Sequence, residues 1–181
     1  MTEFIPRRGL RNGHVMTIYA WARPRRFPHL PMAEPRYFDT EERTRVLAHA
    51  YWQRDRAQHP LLLALHGLEG SSEAHYMRGL ADKAYRSGFN VMLLNQRNCG
   101  GTEALCEGLY HSGLTHDAAH IITEVGRTDG VNRIVVAGYS LGGNLALKLA
   151  GESGPTPPPQ LRGVCAVSPI IVIEPCVRAL E

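Results

Sequence analysis

Val135-Val136-Ala137-Gly138-Tyr139-Ser140-Leu141-Gly142-Gly143-Asn144 joins an apolar run to a segment with helical periodicity. It contains Gly-x-Ser-x-Gly, the pattern of a nucleophile elbow, in which a serine lies on a sharp turn between a strand and a helix. Gly138 and Gly142 have no Cβ, so strand and helix can approach closely around that turn. The pattern predicts a strained backbone at Ser140, whose hydroxyl projects above a sheet edge, and a helix N-terminus that offers N–H groups to an oxyanion.

The flanking sequence predicts an α/β fold. Four short apolar runs, each nearly continuous, are typical of strands buried on both faces of a parallel sheet: 61–65, 91–94, 134–137 and 164–167. Segments of helical length separate them, at about 72–87, 115–127 and 141–151. In the last of these, Leu141, Leu145 and Leu149 repeat on one helical face. The alternation predicts a mostly parallel sheet with helices on both faces.

Three further segments complete the predicted organisation. Residues 36–39 and 45–52 predict a pair of more exposed strands, a hairpin at the sheet edge. Residues 96–113 form a long loop containing glycine, and loops of that length are commonly functional or disordered. We divide the chain into an N-terminal basic arm, residues 1–35, and a partial core domain, residues 36–181.

Composition restricts the class of protein. The 181 residues match one domain, and 44% hydrophobic with 20% charged residues is typical of a globular chain. The longest apolar runs, such as Leu61–Leu65, are far shorter than the roughly 20 residues of a membrane-spanning helix. The first residues show no apolar signal segment, and the four cysteines lack zinc-site spacing. We therefore expect a cytoplasmic protein with reduced thiols.

The formal net charge of +3 is unevenly distributed. Residues 1–30 carry six arginines and a single acid, Glu3. A basic arm can approach nucleic acid or anionic lipid. We interpret it mainly as a solvated arm, expect no nucleic-acid partner, and retain peripheral membrane contact as a hypothesis.

A second motif, Leu65-His66-Gly67-Leu68-Glu69-Gly70-Ser71-Ser72, follows the first buried run. Acyl transfer requires two N–H donors at the oxyanion. One is the amide of the residue after the nucleophile, here Leu141, and the other comes from a loop that commonly contains His-Gly. Leu68 is the predicted second donor, because Gly67 lets the backbone turn that amide inward. The alternative is that His66 and Gly67 only shape a tight turn.

His116-Asp117-Ala118-Ala119-His120 suggests a competing hypothesis, since it resembles the zinc motif His-Glu-x-x-His. Histidines at i and i+4 share a helical face, but Asp117 replaces the glutamate that acts as general base. No third ligand stands out, so we predict neither a metal nor another cofactor. The structural interpretation is that Thr115 caps the helix and Asp117 lies in its positive first turn.

Taken together, the motifs resemble the α/β-hydrolase superfamily and, within it, the YheT-like esterase family, whose relatives include acylglycerol-lipase-like hydrolases. The matching pieces are, in chain order, Asn12-Gly13-His14-x-x-Thr17-Ile18, His66-Gly67-Leu68-Glu69-Gly70-Ser71-Ser72, Asn95-x-Arg97-x-Cys99-x-Gly101, Tyr110-His111-Ser112-Gly113, Gly138-Tyr139-Ser140-Leu141-Gly142-Gly143-Asn144 and Ser168-Pro169. The resemblance implies hydrolysis of carboxylic esters by a serine hydrolase, with Ser140 as nucleophile, a small-molecule ester or lipid as substrate, and no metal cofactor.

The sequence departs from the family pattern at two places. Asn98 stands where the family usually has glycine, and asparagine tolerates a left-handed backbone better than most residues. After Ser168-Pro169 the family usually shows Asp-Leu, whereas this chain has Ile170–Ile173 and then an acid. That apolar run could extend the strand or become exposed surface.

The triad of this fold runs in the order serine, acid, histidine, but no histidine follows Ser140 in the sequence. We expect the acid, the histidine and the last strands of the sheet beyond residue 181, and an inactive or weakly active chain without them. His111 is a less favoured substitute base. Two alternatives remain open: a non-catalytic binding or scaffold protein, and an acyltransferase that uses the same serine.

Overall fold

A six-stranded sheet forms the centre of the protein in a computed structural model, which describes residues 5–179. The strands are β1 Glu34–Glu41, β2 Thr44–Tyr51, β3 Leu61–Leu65, β4 Asn90–Asn95, β5 Ile134–Tyr139 and β6 Leu161–Val167. They lie in the order β1-β2-β4-β3-β5-β6. The last four strands in the chain pair in parallel, whereas β1 and β2 run antiparallel. The predicted α/β fold with a mostly parallel sheet is confirmed.

The helices cover both faces of this sheet, as the sequence predicted. They are α1 Gly13–Ala22, α2 His75–Arg86, α3 His116–Thr128, α4 Leu141–Ser153 and α5 Ile173–Arg178. Helices α3 and α4 pack on one face through residues such as Ile121 and Leu145. Helix α2 packs on the other through Met77 and Ala81. The alternation of strand residues explains this division, because neighbouring side chains point to opposite faces.

The hairpin of β1 and β2 was predicted at the sheet edge, but only β1 is an edge strand. Strand β2 pairs with β4 from Leu47 opposite Asn95 to Tyr51 opposite Val91, so it lies inside the sheet. Its alternate residues are accordingly buried, with Ala48 fully enclosed. At the opposite edge β6 is partly exposed, and Val167 retains 42% of its accessible surface.

The structure shows the conformation of two regions for which the sequence left alternatives open: the run after Ser168-Pro169 and the N-terminal arm. The run after Ser168-Pro169 does not extend β6; it leads into α5 as exposed surface, with Ile171 75% accessible. Within the predicted N-terminal arm, α1 is exposed, but the segment that follows it packs against α2. There the N–H of His29 donates to Asp82 at 2.8 Å, and Leu30 contacts the apolar cluster beneath α2.

Candidate active site

The turn between β5 and α4 has the strained conformation that the sequence predicted. Ser140 has φ 51° and ψ −114°, a backbone conformation that residues other than glycine rarely adopt. A Cβ on Gly138 would overlap the backbone of Gly142, and a Cβ on Gly142 would lie 2.5 Å from the carbonyl oxygen of His66. Both positions therefore require glycine, and the strain is stabilised by backbone packed on both sides.

Ser140 lines a cleft of about 350 Å³, which we call the serine cleft. Its lining residues are Gly67, Leu68, Tyr76, Tyr139, Ser140, Val167 and Ser168. Within residues 5–179, no group hydrogen-bonds to the Ser140 Oγ, and it does not cap α4. The backbone of Ser140 is held by a hydrogen bond, in which its N–H donates to the Val167 carbonyl oxygen at 2.9 Å.

The loop after β3 brings the backbone amide of Leu68 to the edge of the serine cleft. The N–H of Gly67 donates to the Tyr76 Oη at 3.1 Å, and the N–H of Glu69 donates to the Tyr110 Oη at 2.8 Å. Between them, the Leu68 N–H has no hydrogen-bond partner among the described residues. An unpaired amide that borders a cleft can bind an anion at little cost, which is what an oxyanion donor requires.

Leu141 supplies a second amide without a hydrogen-bond partner in the part of the chain that the structure describes. It is the first residue of α4, where the backbone N–H has no intrahelical acceptor and the helix dipole is positive. The loop after β3 packs directly on the elbow, because a Cβ on Gly67 would lie 3.3 Å from the Ser140 Cβ. The structure thus brings the three predicted site residues, Leu68, Ser140 and Leu141, to the same edge of the sheet. Their catalytic roles stay predictions.

His66 lies beneath this loop and is completely buried. Its Nδ1 is 2.7 Å from the Gly67 carbonyl oxygen and its Nε2 accepts the Gln96 N–H at 3.1 Å, which assigns the proton to Nδ1. Burial lowers the pKa of His66 below its ordinary value. The ring joins the ends of β3 and β4 and is a structural group, with both nitrogens occupied.

A larger apolar cavity of about 510 Å³ borders the two candidate donors. It is lined by Leu68, Glu69, Asn98, Leu109, Tyr110, His111, Ser112, Leu141, Ile170, Ile173, Cys176 and Val177. Leu68 lines both this cavity and the serine cleft. Cavities that are mainly apolar with a few polar groups are typical of small-molecule sites.

The loop 96–113 forms one wall of the apolar cavity and is anchored by a buried ion pair. Arg97 donates two hydrogen bonds to Asp117, at 2.6 and 2.8 Å, and a third to the more exposed Glu41 at 3.0 Å. Asn98 has φ 61°, so the left-handed turn persists without the usual glycine. The loop residue His111 accepts the Gly113 N–H on its Nδ1 and makes no hydrogen bond to Ser140 in the described chain.

The zinc-like motif has a structural role in the described chain. The Nε2 of His116 lies 2.9 Å from the Thr40 carbonyl oxygen, Asp117 binds Arg97, and His120 lies 3.1 Å from Glu124. Within residues 5–179, no three His, Cys, Asp or Glu side chains are grouped as metal ligands would be.

The predicted capping by Thr115 is wrong in its detail. Thr115 occupies the N-cap position of α3, but its side chain caps no amide of that helix, and its hydroxyl donates to Glu152 on α4. Asp117 does lie in the first turn of α3, as expected.

Sequence reasoning missed two tyrosines of the site. Tyr110 belongs to the Tyr110–Gly113 motif, so the sequence marked this segment but did not indicate what the tyrosine binds. Tyr76, at the start of α2, carries no local signal, because its role depends on packing against Tyr139 at a ring distance of 4.8 Å. The hydroxyls of both tyrosines accept amides of the loop after β3.

With this geometry established, the family is clear: the chain belongs to the α/β-hydrolase fold family, which matches residues 60–178. The chain is 33% identical to the protein named "Putative esterase YheT" of Escherichia coli strain K12, over 99% of this chain and 52% of that protein. It is 31% identical to the zebrafish (Danio rerio) protein named monoacylglycerol lipase ABHD2, over 56% of this chain and 24% of that protein. This chain therefore spans about half or less of the length of these relatives.

Solved structures support the same fold. The esterase Pf2001 of Pyrococcus furiosus superposes with a TM-score of 0.62 at 22% identity, over 78% of this chain and 53% of that one. A soluble variant of monoglyceride lipase from Saccharomyces cerevisiae gives 0.64 at 16% identity, over 82% of this chain and 48% of that one. At these identities the likeness shows the fold alone.

Proposed function

We propose that this chain forms the nucleophile-bearing part of a serine hydrolase that cleaves carboxylic esters. The observation that supports this most is the hydroxyl of Ser140 on a strained elbow, next to the amides of Leu68 and Leu141. Within residues 5–179, none of these three groups has a hydrogen-bond partner. A serine hydroxyl on such a turn is accessible to a carbonyl carbon, and two amides can stabilise the resulting oxyanion.

In the proposed reaction the Ser140 Oγ attacks the ester carbonyl carbon while a general base takes its proton. The negative oxygen accepts hydrogen bonds from the Leu68 and Leu141 N–H groups. Collapse of this intermediate releases the alcohol, which receives the proton, and leaves an acyl group on Ser140. Water, deprotonated by the same base, then attacks the acyl-enzyme and releases the acid.

The general base is the part of the mechanism that these residues do not provide. No histidine follows Ser140 in the sequence, and His66 has both ring nitrogens occupied. We propose that the triad histidine and its acid come from later residues of the natural chain. In their absence, oxyanion binding alone would leave about 10³–10⁴-fold acceleration over the uncatalysed reaction.

The apolar cavity suggests the substrate class. Its wall combines Leu109, Ile170, Ile173 and Val177 next to the donor-bearing Leu141, so it could hold an apolar acyl chain. A small ester or a lipid such as a monoacylglycerol fits this arrangement, and the name of the ABHD2 relative points to the same substrate class.

A panel of p-nitrophenyl esters of increasing acyl length tests this function, using the full natural chain that contains residues 1–181. We expect hydrolysis that depends on Ser140 and disappears in Ser140→Ala. Equal rates for both proteins would contradict the proposal. Transfer of the acyl group to added glycerol in preference to water would indicate the acyltransferase alternative, and ester binding without turnover would indicate the non-catalytic alternative.

We also propose that the arm contacts anionic membrane surfaces. Helix α1 contains no acidic, lysine or arginine residue and exposes Ile18 and Trp21 at 63% and 80% of their accessible surface. Six arginines flank it, at positions 7, 8, 11, 23, 25 and 26, and no acid occurs between residues 5 and 33. Exposed apolar and aromatic side chains next to arginines are complementary to a bilayer interface with negative headgroups. No helix within residues 5–179 is long and apolar enough to cross a bilayer.

A further inference from the structure

Tyr110 connects the two halves of the candidate oxyanion site, and no step of the proposed reaction uses it. Its hydroxyl oxygen accepts the Glu69 N–H at 2.8 Å and its proton is donated to the Glu69 Oε1 at 3.1 Å. Both hydrogen bonds are made with Glu69, the residue that follows Leu68. The backbone there has φ 54° at Glu69, a conformation that a non-glycine residue adopts only when its surroundings hold it.

The same short segment is bound to the helix that carries the other donor. Two residues after Tyr110, the Ser112 carbonyl oxygen accepts the Nδ2 hydrogen of Asn144 at 2.7 Å. Asn144 lies on the first turn of α4, and its own N–H donates to the Ser140 carbonyl at 3.0 Å. Residues 110–112 therefore contact the loop of Leu68 at one end and the helix of Leu141 at the other.

We propose that Tyr110 is a positioning residue for ester hydrolysis, and that residues 110–112 fix the Leu68 and Leu141 amides relative to one another. The inference rests on the proposed function. An oxyanion site stabilises a transition state only if its donors are already placed, since reorganisation would use up the interaction energy. Without the Tyr110 hydroxyl, the strained turn at Glu69 loses its acceptor, and the neighbouring Leu68 amide can rotate away.

The protonation state of Tyr110 suits this role. Burial raises its pKa to about 12, so the hydroxyl keeps its proton at neutral pH and can donate to a carboxylate while it accepts an amide. A charged phenolate could still accept the Glu69 amide but would have no proton to donate to the Glu69 carboxylate.

Tyr110→Phe tests the inference, because it removes the hydroxyl and keeps the ring, which lies edge-on to His66 at 6.5 Å. Tyr85→Phe is the matched control: it removes a half-buried hydroxyl that donates to the Trp52 carbonyl at 3.2 Å. Asn144→Ala provides a second test from the other end of the segment. All are made in the full natural chain and assayed with p-nitrophenyl butyrate and a fluorophosphonate.

We expect kcat and the rate of fluorophosphonate labelling to fall about tenfold in Tyr110→Phe and Asn144→Ala, less than the roughly 10²–10³-fold cost of losing an oxyanion donor. KM should stay unchanged, and Tyr85→Phe should match the wild type in both rates. Unchanged rates in Tyr110→Phe and Asn144→Ala, or an equal fall in the control, would overturn the positioning role alone. If wild-type Ser140 itself forms no adduct, the proposed function fails and this role with it.

Discussion

Gly142 packs so closely on His66 that a Cβ at position 142 would lie 2.5 Å from the His66 carbonyl oxygen. The contact joins the first turn of α4, which carries Leu141, to the end of β3, where the loop that carries Leu68 begins. Because the obstructing atoms are backbone, a side chain at 142 could be accommodated only by moving the elbow itself.

Gly142→Ala should therefore destabilise the protein by about 1–3 kcal/mol or more, the usual cost of overpacking. The matched control is Gly151→Ala in the same helix, where a Cβ meets nothing within 4 Å. That variant should gain roughly 0.5–1 kcal/mol, since alanine favours a helix interior. Urea denaturation measures both, and equal stability of the two variants would contradict the packing account.

Asp117→Asn should cost about 3–5 kcal/mol, because it removes the buried negative charge, and one of the two acceptor oxygens, that face the buried Arg97 guanidinium. Glu41 is a second partner of the same guanidinium, and its side chain is 46% exposed. Glu41→Gln should therefore cost at most about 1 kcal/mol. Denaturation midpoints of the two variants provide the comparison. Similar losses for both would show that burial does not determine the strength of this ion pair.

His66 predicts how stability depends on pH. Its pKa is lowered by burial in the folded state, so below about pH 6.5 the unfolded chain binds a proton that the folded chain does not. The stabilisation that comes from keeping His66 unprotonated is fully present above about pH 6.5. It is lost as the pH falls toward the lowered pKa of His66 in the folded protein. The free energy of unfolding, measured by urea titration between pH 5 and 8, should rise with pH less steeply in His66→Asn than in wild type. The exposed control His14→Asn should keep the wild-type slope, and an unchanged slope in His66→Asn would rule out this assignment.

Trp21→Ala should weaken binding to vesicles several-fold, because it removes the most exposed aromatic side chain of α1. Binding should require anionic lipid and decrease with added salt, as expected for arginine contacts. Met32→Ala is the control, since Met32 is 94% exposed but lies outside the helix. Co-sedimentation with phosphatidylglycerol-containing vesicles measures this. If wild type and Trp21→Ala sediment alike, α1 is not the contact surface.

Much of the fold was predictable because it depends on local pattern. The apolar runs predicted β3 at its observed bounds and residues 134–137 of β5, which extends to Tyr139. The Gly-x-Ser-x-Gly pattern predicted the elbow, because strand, turn and helix follow one another directly in the chain. The sequence did not predict α1, which no apolar face attaches to the core. It also did not predict that the Thr115 hydroxyl would bind Glu152, because that choice depends on how α3 and α4 pack.

The site was less predictable than the fold for a similar reason. Leu68 could be proposed as a donor from the His-Gly pattern. The amides on either side of it, however, are bound by the hydroxyls of Tyr76 and Tyr110, which lie 8 and 42 residues from Leu68 in the chain. Hydrogen bonds over such separations leave no periodic signal. The same limit applied to the zinc-like motif, whose residues are engaged by Thr40, Arg97 and Glu124.

Covalent labelling of Ser140 tests the central claim most directly. The full natural chain is treated with a fluorophosphonate, digested with trypsin, and the peptide of residues 134–148, in which Ser140 is the only serine, is analysed by mass spectrometry. We predict one phosphonyl adduct on that peptide in the wild type and none in Ser140→Ala. Absence of the adduct in the wild type, or an adduct that persists in Ser140→Ala, would contradict the assignment of Ser140 as the nucleophile.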